Sequence, residues 1–348
     1  MHVRMRSGLV MLSALALLAT GCGNGDTPED PAPDQPDALE GFRLGLALPT
    51  TADDHHWSYR MAQEAEAFGE ETGVEVQVSS AVFDPTEAEP VIRQFIDGGY
   101  DVIIAHSFSH EPVIRELAPQ FPDIPFALAA DSGDPPDENM LIYTYSYLQM
   151  GYTMCWLGAQ LSENGVLGVA GADQVPYNTE TNEGCRVGAE DAVPGIEVIE
   201  AFSGDFFDQQ RGREVAQSLA DQGADVIFES GGTDSSLGAF AFCEEQDLIC
   251  LGTVADQSEI APNSVVASTV IDWRTFLTDL VDQVSQGTFE ASEYSAAFQN
   301  DGLSAIAFEG PAAEKVPQEL QDGFWEMIDA MSNDEIDLPE STVHPGLP

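Results

Sequence analysis

From residue 43 onward, short apolar runs alternate with longer amphipathic stretches, and the rhythm persists through most of the chain. Leu44-Gly-Leu-Ala-Leu48 has the unbroken apolarity of a strand covered on both faces, and the spacing over 57–72 predicts a helix. Val74-Glu-Val-Gln-Val78 alternates with period two. Helices are predicted over 87–98 and 111–121, and strands over 101–105 and 125–129. Strands of this length, separated by helices of roughly 10–15 residues, are the pattern of βαβ units and a parallel sheet. The segment 140–145 then leaves this first run and the pattern restarts. Helices are predicted at 148–161, 178–191, 209–222 and 234–246, with strands at 166–170, 196–202, 225–229 and 249–254.

The two runs also resemble each other. Asp97-Gly-Gly-Tyr-Asp-Val-Ile-Ile104 recurs as Asp221-Gln-Gly-Ala-Asp-Val-Ile-Phe228, each after an amphipathic helix and before a turn. Equivalent placement in successive α/β runs points to two similar lobes. Ligands of such sheets bind beyond the carboxyl ends of the strands, so two facing lobes would share one cleft.

Residues 1–41 carry a different message. Arg4 and Arg6 precede an apolar run from Leu9 to Leu18, followed by Ala19-Thr20-Gly21-Cys22. This is the order of a secretory leader, too short to span a bilayer as a permanent helix. A cysteine directly after the small residues makes 1–21 a lipoprotein signal, with Cys22 lipidated and becoming the mature N-terminus. The alternative is an ordinary leader with a chance cysteine. Residues 22–41 are rich in proline and acid, with almost nothing to bury, and fit an extended tether. The expected location is the cell membrane, lipid-anchored and facing the periplasm or cell exterior.

Charge narrows the picture further. The chain has 61 acids against 11 bases, and Lys315 is its one lysine. Removing the leader takes two bases and no acid, leaving a formal charge of −52. Apolar residues make up 43%, in clear periodic runs, which argues for a folded body rather than disorder. Such an excess of acid fits a protein folded in concentrated salt, where screening removes self-repulsion. Nucleic acid is excluded as a partner, since almost nothing here could neutralise phosphates.

Beyond Cys22 there are Cys155, Cys185, Cys243 and Cys250, without the spacing of a zinc or redox site. An even number in an exported chain points to disulfides; four buried thiols are the alternative. Cys243 near a helix end and Cys250 at the next strand flank a short turn. Cys155 and Cys185 lie on two helices of one predicted lobe. These are the pairs expected.

Residues following the strands are the cleft candidates. They include Asp53-Asp54-His55-His56-Trp57, His106-Ser107-Phe108, Asp173 with Tyr177, Asp205-Phe206-Phe207-Asp208, Gly231 to Asp234, and Asp256-Gln257. The set is rich in aromatics and carboxylates and lacks an activated nucleophile. Aromatics on both lobes would sandwich a flat ring, and carboxylates would accept from ligand N–H or O–H groups. A metal site at His55-His56 needs further ligands the spacing does not supply. A hydrolase triad needs a nucleophile elbow that the chain lacks. No catalytic residue, metal or cofactor is implied.

At this point a family resemblance enters. Cys22, Asp54-His-His-Trp57 and Arg93-Gln-Phe-Ile-Asp-Gly-Gly-Tyr-Asp-Val-Ile-Ile104 resemble the BMP (basic membrane protein) family. So do Phe207-Asp208-Gln-Gln-Arg211, Asp221 to Ile227, Val270-Ile-Asp-Trp273, Asp301-Gly302 and Phe308-Glu-Gly-Pro311. The match covers roughly 42 to 335. The resemblance implies a solute-binding lipoprotein of an ABC importer with the type 1 periplasmic-binding-protein fold. That fold has two doubly wound α/β lobes, a hinge and a cleft between them. The first lobe is then expected at 42–144 and 272–305, the second at 145–271 and 306–340. Several members bind purine nucleosides. The ring-stacking aromatic falls on Trp57, its counterpart among Tyr177, Phe206 and Phe207, and the family acids on Asp54, Asp173 and Asp256. Candidate ligand contacts further include His56, Phe108, Asp208, Asp272 and Trp273. Two departures fall at ribose-contacting positions: Gly252-Thr-Val-Ala-Asp-Gln257 replaces a Gly-Val-Asp form, and Ile271-Asp-Trp273 stands where several members carry lysine. The implied function is capture of a purine nucleoside or nucleobase for import by a monomer that docks on ABC permease subunits. Alternatives are a membrane-anchored sensor of the same ligand, or a receptor for another small organic solute.

Overall fold

The computed structural model describes residues 39–130 and 137–347. The leader, Cys22 and most of the tether lie outside the described residues. Two six-stranded sheets form the cores of two α/β lobes. In the first lobe the chain runs β1 (Arg43–Ala47), α1 (Trp57–Thr72), β2 (Glu75–Ser79), α2 (Pro85–Gly98), β3 (Val102–Ala105), α3 (Glu111–Leu117), β4 (Phe126–Ala129) and β5 (Met140–Tyr145). The second lobe follows with α4 (Tyr147–Leu161), β6 (Val166–Gly171), α5 (Pro176–Ala192), β7 (Glu197–Phe202), α6 (Gln209–Asp221), β8 (Val226–Gly231), α7 (Asp234–Gln246), β9 (Ile249–Gly252) and β10 (Val265–Ile271). The chain then returns to the first lobe with α8 (Arg274–Gln286) and β11 (Ser292–Ala296), and ends in the second with β12 (Leu303–Ala307) and α9 (Gln318–Ser332).

Strand order is β11-β5-β4-β3-β1-β2 in the first sheet and β12-β10-β9-β8-β6-β7 in the second. All neighbours are parallel except β12, which runs antiparallel to β10. Central strands such as β3, β5 and β8 are buried throughout, while the edge strands β2 and β7 are not. Helices on both faces impose that difference, and it explains the continuous apolar runs. Because Leu303–Ala307 pairs with β10, the last crossing falls between Ala296 and Leu303, ahead of the boundary expected after 305. Two helices also differ from expectation. The second starts at Pro85, where Asp84 accepts from the Thr86 N–H at 2.8 Å and Pro85 supplies a ready-made first turn. The third stops at Leu117 and tightens into a 3₁₀ turn over Ala118–Gln120, since Pro119 has no N–H to continue the helical ladder.

The disulfides sit in the second lobe. Cys155 of α4 is joined to Cys185 of α5 with Cα atoms 4.9 Å apart, and Cys243 of α7 to Cys250 of β9 at 6.3 Å. The first depends on an unusually close helix pair. A Cβ on Gly151 would lie 1.8 Å from the Thr181 carbonyl oxygen, and one on Gly184 2.1 Å from that of Leu148. Neither contact admits a side chain.

Beyond α9 the chain comes back across both lobes. Glu180 on α5, 6% exposed, accepts from the Thr342 N–H at 2.6 Å and the Ser341 hydroxyl at 3.0 Å. Two residues on, buried His344 donates from Nε2 to the carbonyl of Ala130 at the end of β4, at 3.1 Å. Residues 341–344 thus strap the second lobe to the first beside the crossover at Ser146. Deleting 341–348 leaves the Glu180 carboxylate without these partners. The expected result is a loss of about 1–3 kcal/mol of stability and faster hydrogen exchange in α5 and at 145–150. Unchanged exchange there would show that the strap carries no strain between the lobes.

Candidate ligand-binding cleft

The cleft is organised by the turn between β1 and α1. Asp54 is buried, and its carboxylate accepts from the N–H groups of His56 (2.9 Å), Ser58 (3.1 Å) and Tyr59 (2.9 Å) and from the Thr50 hydroxyl (2.5 Å). Four donors fill its acceptor capacity and satisfy the exposed first turn of α1. The expectation that Asp54 touches a ligand is therefore corrected: it fixes the turn that aims its neighbours.

Trp57, the first residue of α1, donates from Nε1 to the His106 carbonyl at 2.8 Å and stacks on that imidazole at 4.1 Å, 5° from parallel. His106 is fully buried after β3. Its Nε2 donates to the Trp57 carbonyl at 3.1 Å, so its Nδ1 accepts from the Tyr143 hydroxyl at 2.6 Å. Burial lowers its pKa to about 3, against the opposing hydrogen bond it donates to the Trp57 carbonyl. The imidazole is neutral and serves as the backing plate of the indole. Trp273 closes the edge, T-shaped to Trp57 at 5.6 Å and to Tyr143 at 5.4 Å, and has no exposed surface. Trp273 is thus core rather than cleft wall.

Between the lobes lies a cavity of about 670 Å³, its mouth included. His56, Trp57, Phe108, Tyr177, Phe206 and Phe207 line it, as do Phe83, Tyr145 and Tyr147. Phe83 meets Phe207 edge-on at 5.4 Å, and Phe108 faces Phe206 at 6.5 Å, so four phenylalanines bridge the lobes at one side. Phe207 is 41% exposed, which puts it at the rim. Among the described residues, no aspartate, glutamate, lysine or arginine lines the cavity.

The remaining predicted acids are accounted for elsewhere. Asp173 is exposed and accepts from the Gln174 N–H. Asp208 caps α6 through the Arg211 N–H at 3.1 Å, and Asp272 accepts from the Arg274 N–H at the start of α8 at 2.8 Å. Asp256 accepts from the Ser258 N–H at 2.9 Å beside β10. Each sits near a strand end, as the sequence implied, but each is engaged by a local backbone N–H, the usual use of aspartate at a turn. Sequence reasoning missed Phe83, which follows β2 at a strand end that was passed over. It also missed Tyr145 and Tyr147, which flank the first crossover.

Two buried polar groups approach from opposite lobes. His56, 5% exposed, places Nε2 3.3 Å from the Thr253 hydroxyl beyond β9, and its Nδ1 has no partner among the described residues. Burial lowers its pKa to about 4, outweighing nearby Asp54. Glu229 on β8 is 2% exposed, and burial raises its carboxyl to about 8 despite hydrogen bonds from the Gly231 and Gly232 backbone.

A model of the Bmp family, described as ABC transporter substrate-binding protein PnrA-like, matches residues 42–299. The chain belongs to this family. Bmp proteins are substrate-binding components of ABC transporters, which hold solutes rather than transform them. A purine-binding protein of Brucella abortus is 25% identical over 256 residues, spanning 73% of this chain and 72% of that protein. A Haloferax volcanii protein whose name assigns it glucose is 24% identical over 286 residues, 82% of this chain and 71% of its own. Among solved structures, a solute-binding protein of an ABC transporter system from Conexibacter woesei has a TM-score of 0.71 at 26% identity. It covers 86% of this chain and 98% of that one. Among the described residues of this Bmp chain, no helix is long and apolar enough to cross a membrane.

Glu229 gives the fold a readable pH dependence. Unfolded, it ionises near 4.5; folded, it keeps its proton to about 8. Between these values the folded state holds the extra proton, so stability falls as pH rises. His56 and His106 act with the opposite sign, losing stability as pH drops below about 6.5, and are silent above it. From pH 6.5 to 8 the unfolding free energy should fall by about 1–2 kcal/mol, read by urea denaturation at fixed salt. Glu229→Gln should flatten that slope; a flat wild-type profile would show that Glu229 ionises normally.

Proposed function

We propose that this protein captures a flat, uncharged heteroaromatic solute, a purine nucleobase foremost, and delivers it to an ABC permease. The observation that carries this reading is the cavity wall: rich in aromatics from both lobes, backed on one side by the Trp57–His106 stack, and free of charged side chains among the described residues. An aromatic face offers a ring ~0.5–1.5 kcal/mol beyond its burial. A sugar or a ribose presents several hydroxyls whose desolvation must be matched by polar partners. Most polar side chains of this wall are already bonded within the protein, which favours a base over a nucleoside and over glucose. In this reading Trp57 is the stacking platform and Phe206, Tyr177 and Tyr147 supply the opposing faces. Phe83, Phe108 and Phe207 close the mouth.

Cys22 is proposed to carry the lipid, with 22–41 as the tether that keeps the lobes within reach of the permease. Mass spectrometry of small molecules released by denaturing the purified protein tests the ligand class. A nucleobase or related ring is expected, and nucleobases should raise the melting temperature in a thermal-shift screen. If a sugar or an aliphatic solute alone does so, the ring-binding reading falls. Trp57→Ala should weaken the bound ring by at least ~1 kcal/mol.

The acidic surface fits a protein that works in high salt. All nine bases of the described residues have an acid within 4.0 Å, as in Arg60–Glu64 at 2.7 Å and Lys315–Asp247 at 2.7 Å. With 61 acids in the chain, most carboxylates are left without a cation. The melting temperature should climb into molar salt, past the point where the Debye length has shrunk to ~3 Å. Equal stability in dilute buffer would remove the high-salt reading and leave the fold intact.

A further inference from the structure

The cavity wall is apolar, and its hydroxyl and N–H groups are largely committed. Thr50 donates to Asp54, Ser107 pairs with Ser109, and Tyr143 bonds His106. Thr144 donates to the Tyr147 hydroxyl, Thr233 to the Phe206 carbonyl, and the Trp57 indole to the His106 carbonyl. His56 breaks the pattern. It forms part of the wall, is 5% exposed, and its Nδ1 has no hydrogen-bond partner among the described residues. A buried, unpaired nitrogen destabilises the fold, a cost that a bound ligand can remove.

The partners on the far side of the ring decide what that nitrogen offers. The Thr253 hydroxyl lies 3.3 Å from the Glu229 carbonyl oxygen, which can only accept, so its hydrogen points there. Its lone pairs are then left for His56, and Nε2, 3.3 Å away, is the donor. A neutral imidazole has a single N–H. With that hydrogen on Nε2, Nδ1 is a bare acceptor. The relay crosses from lobe to lobe, because His56 precedes α1 whereas Thr253 and Glu229 follow or end strands of the second sheet. Closure of the lobes therefore sets the tautomer.

We propose that His56 is the specificity-determining residue of the cleft, accepting at Nδ1 a hydrogen bond from a ligand N–H. The ligand is then a heteroaromatic ring bearing an amino group or a ring N–H, and rings without a donor are rejected. This rests on the ring-binding reading above and adds to it the polarity of the ring's edge. No charge is needed on either side, in keeping with a wall that has none among the described residues.

Adenine and 9-methylpurine are the probes, since both stack and the second has no N–H. Titration calorimetry on the full-length protein should show adenine preferred by ~10-fold or more. His56→Phe, which keeps a ring and removes the acceptor, should bring the two within ~3-fold of each other. Nitrogen NMR of labelled histidine in the wild type saturated with adenine should find Nε2 protonated and Nδ1 bare. A proton on Nδ1 overturns the proposal without any variant having to fold. So does an adenine preference that survives in His56→Phe. If neither probe binds the wild type, the ring-binding reading fails and this inference goes with it. If both bind the wild type equally, the ring-binding reading stands and the role of His56 falls alone.

Discussion

The cleft depends on keeping two imidazoles neutral. His106 supports Trp57 face to face at 4.1 Å while bonding Tyr143 through one nitrogen and the Trp57 carbonyl through the other. A proton on that ring would put a charge inside a wall of aromatics and break the bond from the tyrosine. Burial prevents this and holds its pKa to about 3. The same desolvation holds His56 near 4, so the two histidines of the cleft act as shaped, uncharged polar groups. A ligand pocket lined by one histidine and backed by another can thus keep both uncharged in a protein of net charge −50.

That neutrality has a counterpart outside. The carboxylates near the strand ends are used as local caps: Asp54 at α1, Asp84 at α2, Asp208 at α6, Asp272 before α8. Placing an anion at a helix start satisfies free N–H groups and suits the helix dipole. It also keeps negative charge away from the aromatic faces. Most of the acids near the strand ends are thus used in capping, while Glu229 and Glu180 are buried and the described cavity wall is left mainly to aromatics.

Closure is held by several modest contacts rather than one large interface. Phe83 meets Phe207, His56 reaches Thr253, and His344 ties the C-terminal segment to Ala130. Each is of a size that binding energy can offset, as expected where a ligand shifts an open–closed equilibrium. The second lobe is itself braced by the Cys155–Cys185 and Cys243–Cys250 bonds, and the Gly151 and Gly184 contacts bring α4 against α5.

The sequence by itself determined the α/β class, the two successive lobes and the strand ends that face each other, because burial period and strand–helix alternation are written locally. It also pointed to Trp57, Phe206 and Tyr177 as aromatics after strand ends, although Trp273, placed the same way after β10, packs into the core. It did not distinguish a carboxylate that faces a ligand from one that caps a helix, and Asp54 and Asp208 look alike for either task. That difference is set by which backbone N–H groups lie within about 3 Å, a property of the folded turn. Nor did it mark Phe83, brought to the mouth by the first sheet's order, or His344, carried from the chain's end to Ala130. Above all, the neutrality of His56 and His106 has no local signature. It comes from desolvation by residues brought together from distant parts of the chain, which only the tertiary structure supplies.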